Sequence, residues 1–296
     1  MRPFRTLMFV PGSDARKIGK VFSLAADVVV LDLEDSVALK EKPAARETGR
    51  EALGTRGGSR AYVRVNALST GLLFEDLAAV IRGRPDGIVL PKADSPADLI
   101  TADAILAEME RKEGLDPGSV DMIPIVESAA GVSRAEPLAS SCKRVRRLSF
   151  GAMDFTLDIG ATWDKEGTAL SYARSYLVIA SRAAGIEAPI DTVYPDIKDA
   201  DGLVADSRLA RKLGFQGKIV IHPAQVEPVN QVFSPTPEEV AKARRVAEAF
   251  DQAEAQGSAS IQLDGAFVDY PVALRAKRLL DVARALGMGR TVKDEG

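Results

Sequence analysis

Two acidic residues far apart in the chain close similar apolar runs. Glu127 ends Met122-Ile123-Pro124-Ile125-Val126-Glu127, and Asp154 ends Leu148-Ser149-Phe150-Gly151-Ala152-Met153-Asp154. Side chains alternate along a strand, so Glu127 shares a face with Ile125 and Ile123, and Asp154 shares one with Ala152 and Phe150. If those apolar residues fill an interior, both carboxylates point into one opening, where they repel unless a positive charge lies between them. A hard divalent cation does this: Mg2+ takes one or two carboxylates and completes its shell with water and substrate oxygens, and Mn2+ is the alternative. The chain has one histidine, His222, and one cysteine, Cys142, too few for a zinc site. A purely structural alternative has each carboxylate capping the following helix or pairing with Lys92 or Arg64, and spacing alone does not separate the two.

Arg64, in Tyr62-Val63-Arg64-Val65-Asn66, presents a guanidinium suited to bidentate recognition of a substrate carboxylate. The competing reading is a salt bridge to Glu34 or Glu127. Because a buried pair gains little after desolvation, substrate binding is favoured. Lys92, after Leu90-Pro91, either neutralises the acidic run Asp32-Leu33-Glu34-Asp35 or touches substrate. That run is expected to cap a helix or join a network with Arg64 and Lys92, with a hydrogen bond to metal-bound water as the other option. His222-Pro223 offers a general base or a loop-fixing residue. Val10-Pro11-Gly12-Ser13 is an unspecific phosphate signal.

These residues need a scaffold that brings strand ends together. Eight short apolar runs, each ending in a polar or charged residue and followed by a helical stretch, provide one: Leu7–Gly12, Val28–Asp35, Ala61–Asn66, Gly87–Lys92, Met122–Ser128, Arg147–Asp154, Pro189–Ile197 and Gly217–Pro223. The expected fold is α/β, a (β/α)8 barrel of the TIM type over residues 1–233, with its site at the C-terminal strand ends. Val28-Val29-Val30-Leu31 and Ile219-Val220-Ile221 have the continuous β-branched character of parallel strands buried on both faces. Helical spacing puts Leu73, Leu77, Val80 and Ile81 on one face, then Leu99, Ile100, Ala104, Leu106 and Met109, then Leu177 with Ala180 and Ala184, and Leu209 with Leu213. The polar insertion Thr162–Thr168, with Trp163, is expected over the mouth. Residues 234–296 form a C-terminal helical and hairpin extension. There Thr236 is the N-cap, Pro237 the first helical residue and Glu239 the capping-box partner of a helix to about Gln256, before a hairpin at Ser260–Asp269 and a last helix at Val272–Leu286.

The chain has 296 residues, where such a barrel takes ~250, so no second full domain is expected. Its net charge of −3 gives no reason to expect nucleic acid or an anionic membrane as a partner. No segment approaches the ~18 apolar residues of a membrane span, and the run after Arg2 and Arg5 is too short for a signal peptide. One cysteine forms no internal disulfide, which fits a cytoplasmic location.

As an ordered set, several segments resemble the CitE-like branch of the HpcH/HpaI aldolase/citrate lyase superfamily. They are Phe9-Val10-Pro11-Gly12, Asp32-Leu33-Glu34-Asp35-Ser36-Val37, Arg64-Val65-Asn66, Leu90-Pro91-Lys92, Val126-Glu127-Ser128, Gly151-Ala152-Met153-Asp154, Asp191-Thr192-Val193-Tyr194, Leu213–Lys218 and Leu263–Asp269. The resemblance implies a Mg2+-dependent carbon–carbon lyase cleaving a malyl-, methylmalyl-, citramalyl- or citryl-CoA type 3-hydroxyacyl thioester into an acyl-CoA and a 2-oxo acid. It makes Glu127 and Asp154 the metal ligands and gives Arg64 the carboxylate of the 2-oxo acid fragment; with the reading of Lys92 above, Arg64, Glu127 and Lys92 are the expected substrate contacts, and Arg64 and Asp269 the expected catalytic residues. Asp269 is the tail acid that, in several relatives, reaches a neighbouring subunit of a trimer or hexamer. Phe267 stands where relatives carry Met, and His222-Pro223 where some citrate lyase β subunits have Asn-Pro. The alternatives are a citrate lyase β subunit acting on a carrier-bound citryl thioester, an aldolase on free 2-oxo acids, and a regulator that only binds a 2-oxo acid or CoA ester.

Overall fold

The computed structural model describes residues 4–288; Arg2 and the end of the extension, 289–296, lie outside the described residues. The chain divides into two compact units, with the break between Asn230 and Gln231.

The first unit is a closed barrel of eight parallel strands in sequential order. They are β1 (Thr6–Pro11), β2 (Val28–Asp32), β3 (Arg60–Arg64), β4 (Gly87–Leu90), β5 (Asp121–Val126), β6 (Ser149–Phe150), β7 (Ile190–Asp191) and β8 (Gly217–Val220). The helices between and after them are α1 (Ala15–Val21), α2 (Lys42–Thr55), α3 (Leu73–Val80), α4 (Pro96–Lys112), α5 (Ala129–Ser133), α6 (Ala135–Ala139), α7 (Ala152–Asp158), α8 (Ser171–Ala183), α9 (Ala200–Leu213) and α10 (Val226–Phe233). Leu7, Val30, Tyr62, Val89, Ile123 and Ile219 belong to one interior cluster, so the barrel is a packed core. All of β2 is buried, as its unbroken apolar run requires.

Several strands stop earlier than the runs indicate. β2 ends at Asp32 rather than Asp35, and β6 is only two residues long. Beyond β6 the Gly151 N–H still bonds to the Val126 carbonyl, but the Phe155 N–H turns back to the Gly151 carbonyl and starts α7. Asp154 therefore sits in the first turn of a helix, not at a strand end, and the alternation argument does not apply to it. The face of α3 is as expected, with Leu73, Leu77 and Val80 buried and Ile81 buried just beyond it. On α4 the buried ladder is Leu99, Ala102, Leu106 and Met109; Ile100 and Ala104 stand outside it and are exposed. On α9 Leu209 is exposed, because the inward face carries Asp206 and Ser207 with Leu203 and Ala210. Asp206 meets Arg174 and Lys218, each at 2.6–2.8 Å, and these also hold Asp191, so a buried ion network replaces apolar packing there.

The second unit contains α11 (Pro237–Ala255), an antiparallel hairpin of β9 (Ser260–Leu263) and β10 (Ala266–Asp269), and α12 (Tyr270–Ala285). Thr236 and Glu239 form the expected capping box. Asp264 and Gly265, both with positive φ, make the two-residue hairpin turn. Ala243, Val246, Phe250, Val268, Ala273 and Ala276 give this unit its own small core.

Candidate active site

Five elements of the barrel, β2, β3, β4, β5 and α7, bring charged groups to its C-terminal mouth. Glu127 directly follows β5, whose Ile123 and Ile125 face the interior, and its side chain is buried. The Lys92 backbone N–H donates to Glu127 Oε1 at 2.7 Å. That amide is aimed by a positive φ of 55° at Lys92, a costly conformation for a side-chain-bearing residue. The Lys92 ammonium then lies 3.2 Å from Asp154, 3.6 Å from Glu34 and 3.8 Å from Glu127. Glu127 and Asp154, one at a strand end and one at a helix start, thus both face the Lys92 ammonium, the pairing that the structural alternative expects.

On the neighbouring strands β2 and β3, Asp32 and Arg64 are register partners. Arg64 Nε and Nη2 donate to the two Asp32 oxygens at 2.6 and 2.7 Å, and Nη1 lies 2.9 Å from Glu34. The expected network of the acidic run with Arg64 and Lys92 is what forms; Glu127 is not a partner of Arg64. A guanidinium has five N–H donors, so Arg64 keeps capacity beyond the two given to Asp32. Asp32 also accepts the backbone N–H groups of Glu34 and Ser36. Burial alone would raise its pKa, but the bonds and charge of Arg64 outweigh this and hold the carboxyl below its ordinary value. Burial, with the nearby carboxylates, pushes Glu127 up to about 7 and raises Glu34, against the pull of the cations. Lys92 is held well above the usual lysine value: Glu127, Glu34 and Asp154 outweigh its partial burial.

Gly151 makes room for Glu127. A Cβ at that position would lie 2.5 Å from Glu127 Oε2 and 2.6 Å from its Cβ. Thr192, just after β7, accepts the Ala152 N–H at 2.9 Å and so fixes the start of α7 and Asp154 with it. From behind, buried Lys42 donates to the Leu33 and Glu34 carbonyls and to Asn66 at 2.7–2.9 Å, tying down the loop that carries Glu34. Sequence reasoning missed Gly151, Thr192 and Lys42 as supports. The first two lie inside segments it singled out, but nothing in the spacing assigned them a task. His222 is exposed; its Nδ1 accepts the Ala224 N–H and caps a short turn, the loop-fixing option. In the insertion after α7, Trp163 meets Tyr194 edge-on, beyond the C-terminal end of β7. Asp269 lies in the second unit, where it ends β10 and caps α12 by accepting the Val272 N–H.

The mouth opens into a cavity of about 330 Å3, with Asp32, Arg64, Glu127 and Asp154 among its lining residues. The donor set suits a hard cation. It is all oxygen, and the carboxylates of Asp32, Glu34, Glu127 and Asp154 outnumber the cations of Arg64 and Lys92. Among the described residues no group of three or more Asp, Glu, His or Cys side chains is arranged to hold a metal. Glu127 and Asp154 are the side chains here that could hold an ion, with water and substrate oxygens for the rest of its shell.

A closed parallel barrel with charged side chains converging on the C-terminal ends of its strands has the architecture of a (β/α)8 enzyme. Residues 5–223 match the HpcH/HpaI aldolase/citrate lyase family. The citrate lyase subunit beta of Leuconostoc mesenteroides subsp. cremoris is 37% identical over 95% of this chain and 93% of that protein. The mitochondrial citramalyl-CoA lyase of Homo sapiens is 34% identical over 96% of this chain and 86% of that protein. CitE from Mycobacterium tuberculosis, solved in complex with magnesium, acetoacetate and coenzyme A, is 30% identical with a TM-score of 0.78, over 95% of this chain and 98% of that one. The chain belongs to the HpcH/HpaI aldolase/citrate lyase family and is an enzyme of the lyase class. No helix among the described residues is long and apolar enough to cross a membrane.

Proposed function

We propose that this chain is a Mg2+-dependent carbon–carbon lyase that cleaves a 3-hydroxyacyl-CoA carrying a carboxylate on its carbinol carbon into an acyl-CoA and a 2-oxo acid. The observation that carries this reading is that Glu127 and Asp154 lie 3.8 and 3.2 Å from one ammonium, that of Lys92, and that Glu34 joins this ammonium to Arg64. The magnesium-bound CitE relative supports the choice of cation. Bound to Glu127 and Asp154, the ion would act as a Lewis acid toward the carboxylate and hydroxyl oxygens of the substrate.

The residues of the chain do the positioning. Arg64, held in one orientation by Asp32, offers its remaining N–H groups to the substrate carboxylate and keeps the scissile bond in register. Lys92 holds Glu127 through its backbone and counters the charge of Glu34 and Asp154 through its side chain. In the cleavage the hydroxyl gives its proton to solvent water, the carbinol carbon becomes a carbonyl, and the carbon–carbon bond electrons pass to the thioester as an enolate. The enolate carbon then takes up a proton, so no net proton is gained or lost. Asp269 of a neighbouring copy is the proposed donor, which makes the active form a homo-oligomer, a trimer or hexamer. A cytoplasmic location completes the reading.

The test is a coupled assay across malyl-, methylmalyl-, citramalyl- and citryl-CoA. Mg2+-dependent release of a 2-oxo acid from at least one thioester is expected. Full activity in EDTA, or turnover of free hydroxy-oxo acids alone, rejects the proposal.

A further inference from the structure

Glu127 and Asp154 stand on separate elements, so the distance between their carboxylates must be set by whatever joins those elements. Glu127 follows β5, and Asp154 lies in the first turn of α7. The start of α7 is held by the Ala152 N–H on the Thr192 hydroxyl and the Gly151 N–H on the Val126 carbonyl. Its far end carries Asp158, whose Oδ2 accepts the Ala129 N–H at 2.7 Å. Ala129 is the first residue of α5, where a backbone N–H has no partner within the helix. The segment carrying that N–H is itself anchored, because the Ser128 hydroxyl donates to Asp94 and accepts the Gly131 N–H at 2.9 Å.

Ala129 is two residues beyond Glu127. Asp158 is four residues beyond Asp154, on the same face of α7, with ~5–6 Å between Cβ atoms at such a spacing. The bond between Asp158 and Ala129 therefore closes a short path from one acid to the other. Asp158 is exposed and adds nothing to the core. We infer that Asp158 is a positioning residue: its bond to Ala129 fixes the spacing of Glu127 and Asp154, and so the size of ion the pair accepts. The inference rests on the lyase reading above, in which these two carboxylates hold the cation. Mg2+ demands a near-ideal octahedron at ~2.0–2.1 Å, whereas Ca2+ accepts flexible shells at ~2.3–2.6 Å. A loosened pair therefore loses Mg2+ more than Ca2+.

The test is calorimetric binding of Mg2+ and Ca2+ to the full chain, with circular dichroism to show that each variant is folded. Asp158→Ala should weaken Mg2+ binding by ~10–100-fold and Ca2+ binding by no more than ~3-fold. Asp158→Asn keeps an acceptor without the charge, so its Mg2+ affinity should stay within ~3-fold of wild type. Ala129→Pro removes the donor instead. Proline suits a first helical position, and Ser128 before it is extended, with φ −142° and ψ 164°. That variant should match Asp158→Ala, and the double variant should be no weaker than either. Near-wild-type Mg2+ affinity in Asp158→Ala, equal losses for the two ions, or Asp158→Asn falling as far as Asp158→Ala overturns the inference alone. A wild-type chain that binds neither ion overturns the lyase reading and this inference with it.

Discussion

Gly151→Ala tests whether the placement of Glu127 controls function. The φ of Gly151 is −110°, which alanine adopts without strain, so the substitution acts through space alone. The new methyl would stand 2.5 Å from Glu127 Oε2, 2.6 Å from Glu127 Cβ and 3.0 Å from Ile125 Cγ2. Relaxed contacts need ~3.5–4.0 Å, so Glu127 and the start of α7 must separate by about 1 Å. Overpacking of this kind costs about 1–3 kcal/mol, visible as a lowered urea midpoint with the slope unchanged. A ~1 Å misplacement of a catalytic group costs about 100-fold in turnover. The expected result is a folded protein with weakened Mg2+ binding by calorimetry and turnover down by about 100-fold. Wild-type Mg2+ affinity and turnover in Gly151→Ala would show that Glu127 need not sit where the structure places it.

Other perturbations probe separate links. Glu127 has its pKa raised from an ordinary 4.5 to about 7, first by burial. Between those values the folded protein holds a proton that the unfolded chain has released, so this stabilisation is full below 4.5 and lost as pH rises through about 7. Because the metal needs the ionised carboxylate, apparent Mg2+ affinity should fall about tenfold per pH unit below about 7; a flat profile from pH 5 to 8 contradicts this. Asp269→Asn keeps a competent N-cap for α12, so stability and Mg2+ affinity should hold while turnover drops; unchanged turnover removes Asp269 from the chemistry. Lys218→Met leaves Asp191 and Asp206 with Arg174 as their remaining cation in the buried network, and a loss of about 3–5 kcal/mol is expected in urea unfolding.

Sequence and structure agree most closely where one periodicity rules. β2 and β8 follow from unbroken β-branched runs, and the start of α11 from Thr236, Pro237 and Glu239. Glu127 is placed by alternation because β5 persists to Val126. Asp154 escapes the same argument because the chain leaves the sheet at Gly151, where the Ala152 N–H turns to the Thr192 hydroxyl just after β7. Leu209 misleads because α9 packs its charged Asp206 inward, and only the three-dimensional meeting with Arg174 and Lys218 makes that tolerable. Lys42 is likewise silent in sequence, since its partners are two backbone carbonyls and an amide.

The most direct measurement is anomalous diffraction from crystals of the protein loaded with Mn2+ in place of Mg2+. The account predicts one strong peak within coordination distance of both Glu127 and Asp154, beside Arg64. A peak bound to neither carboxylate, or to one while the other turns away, would contradict it.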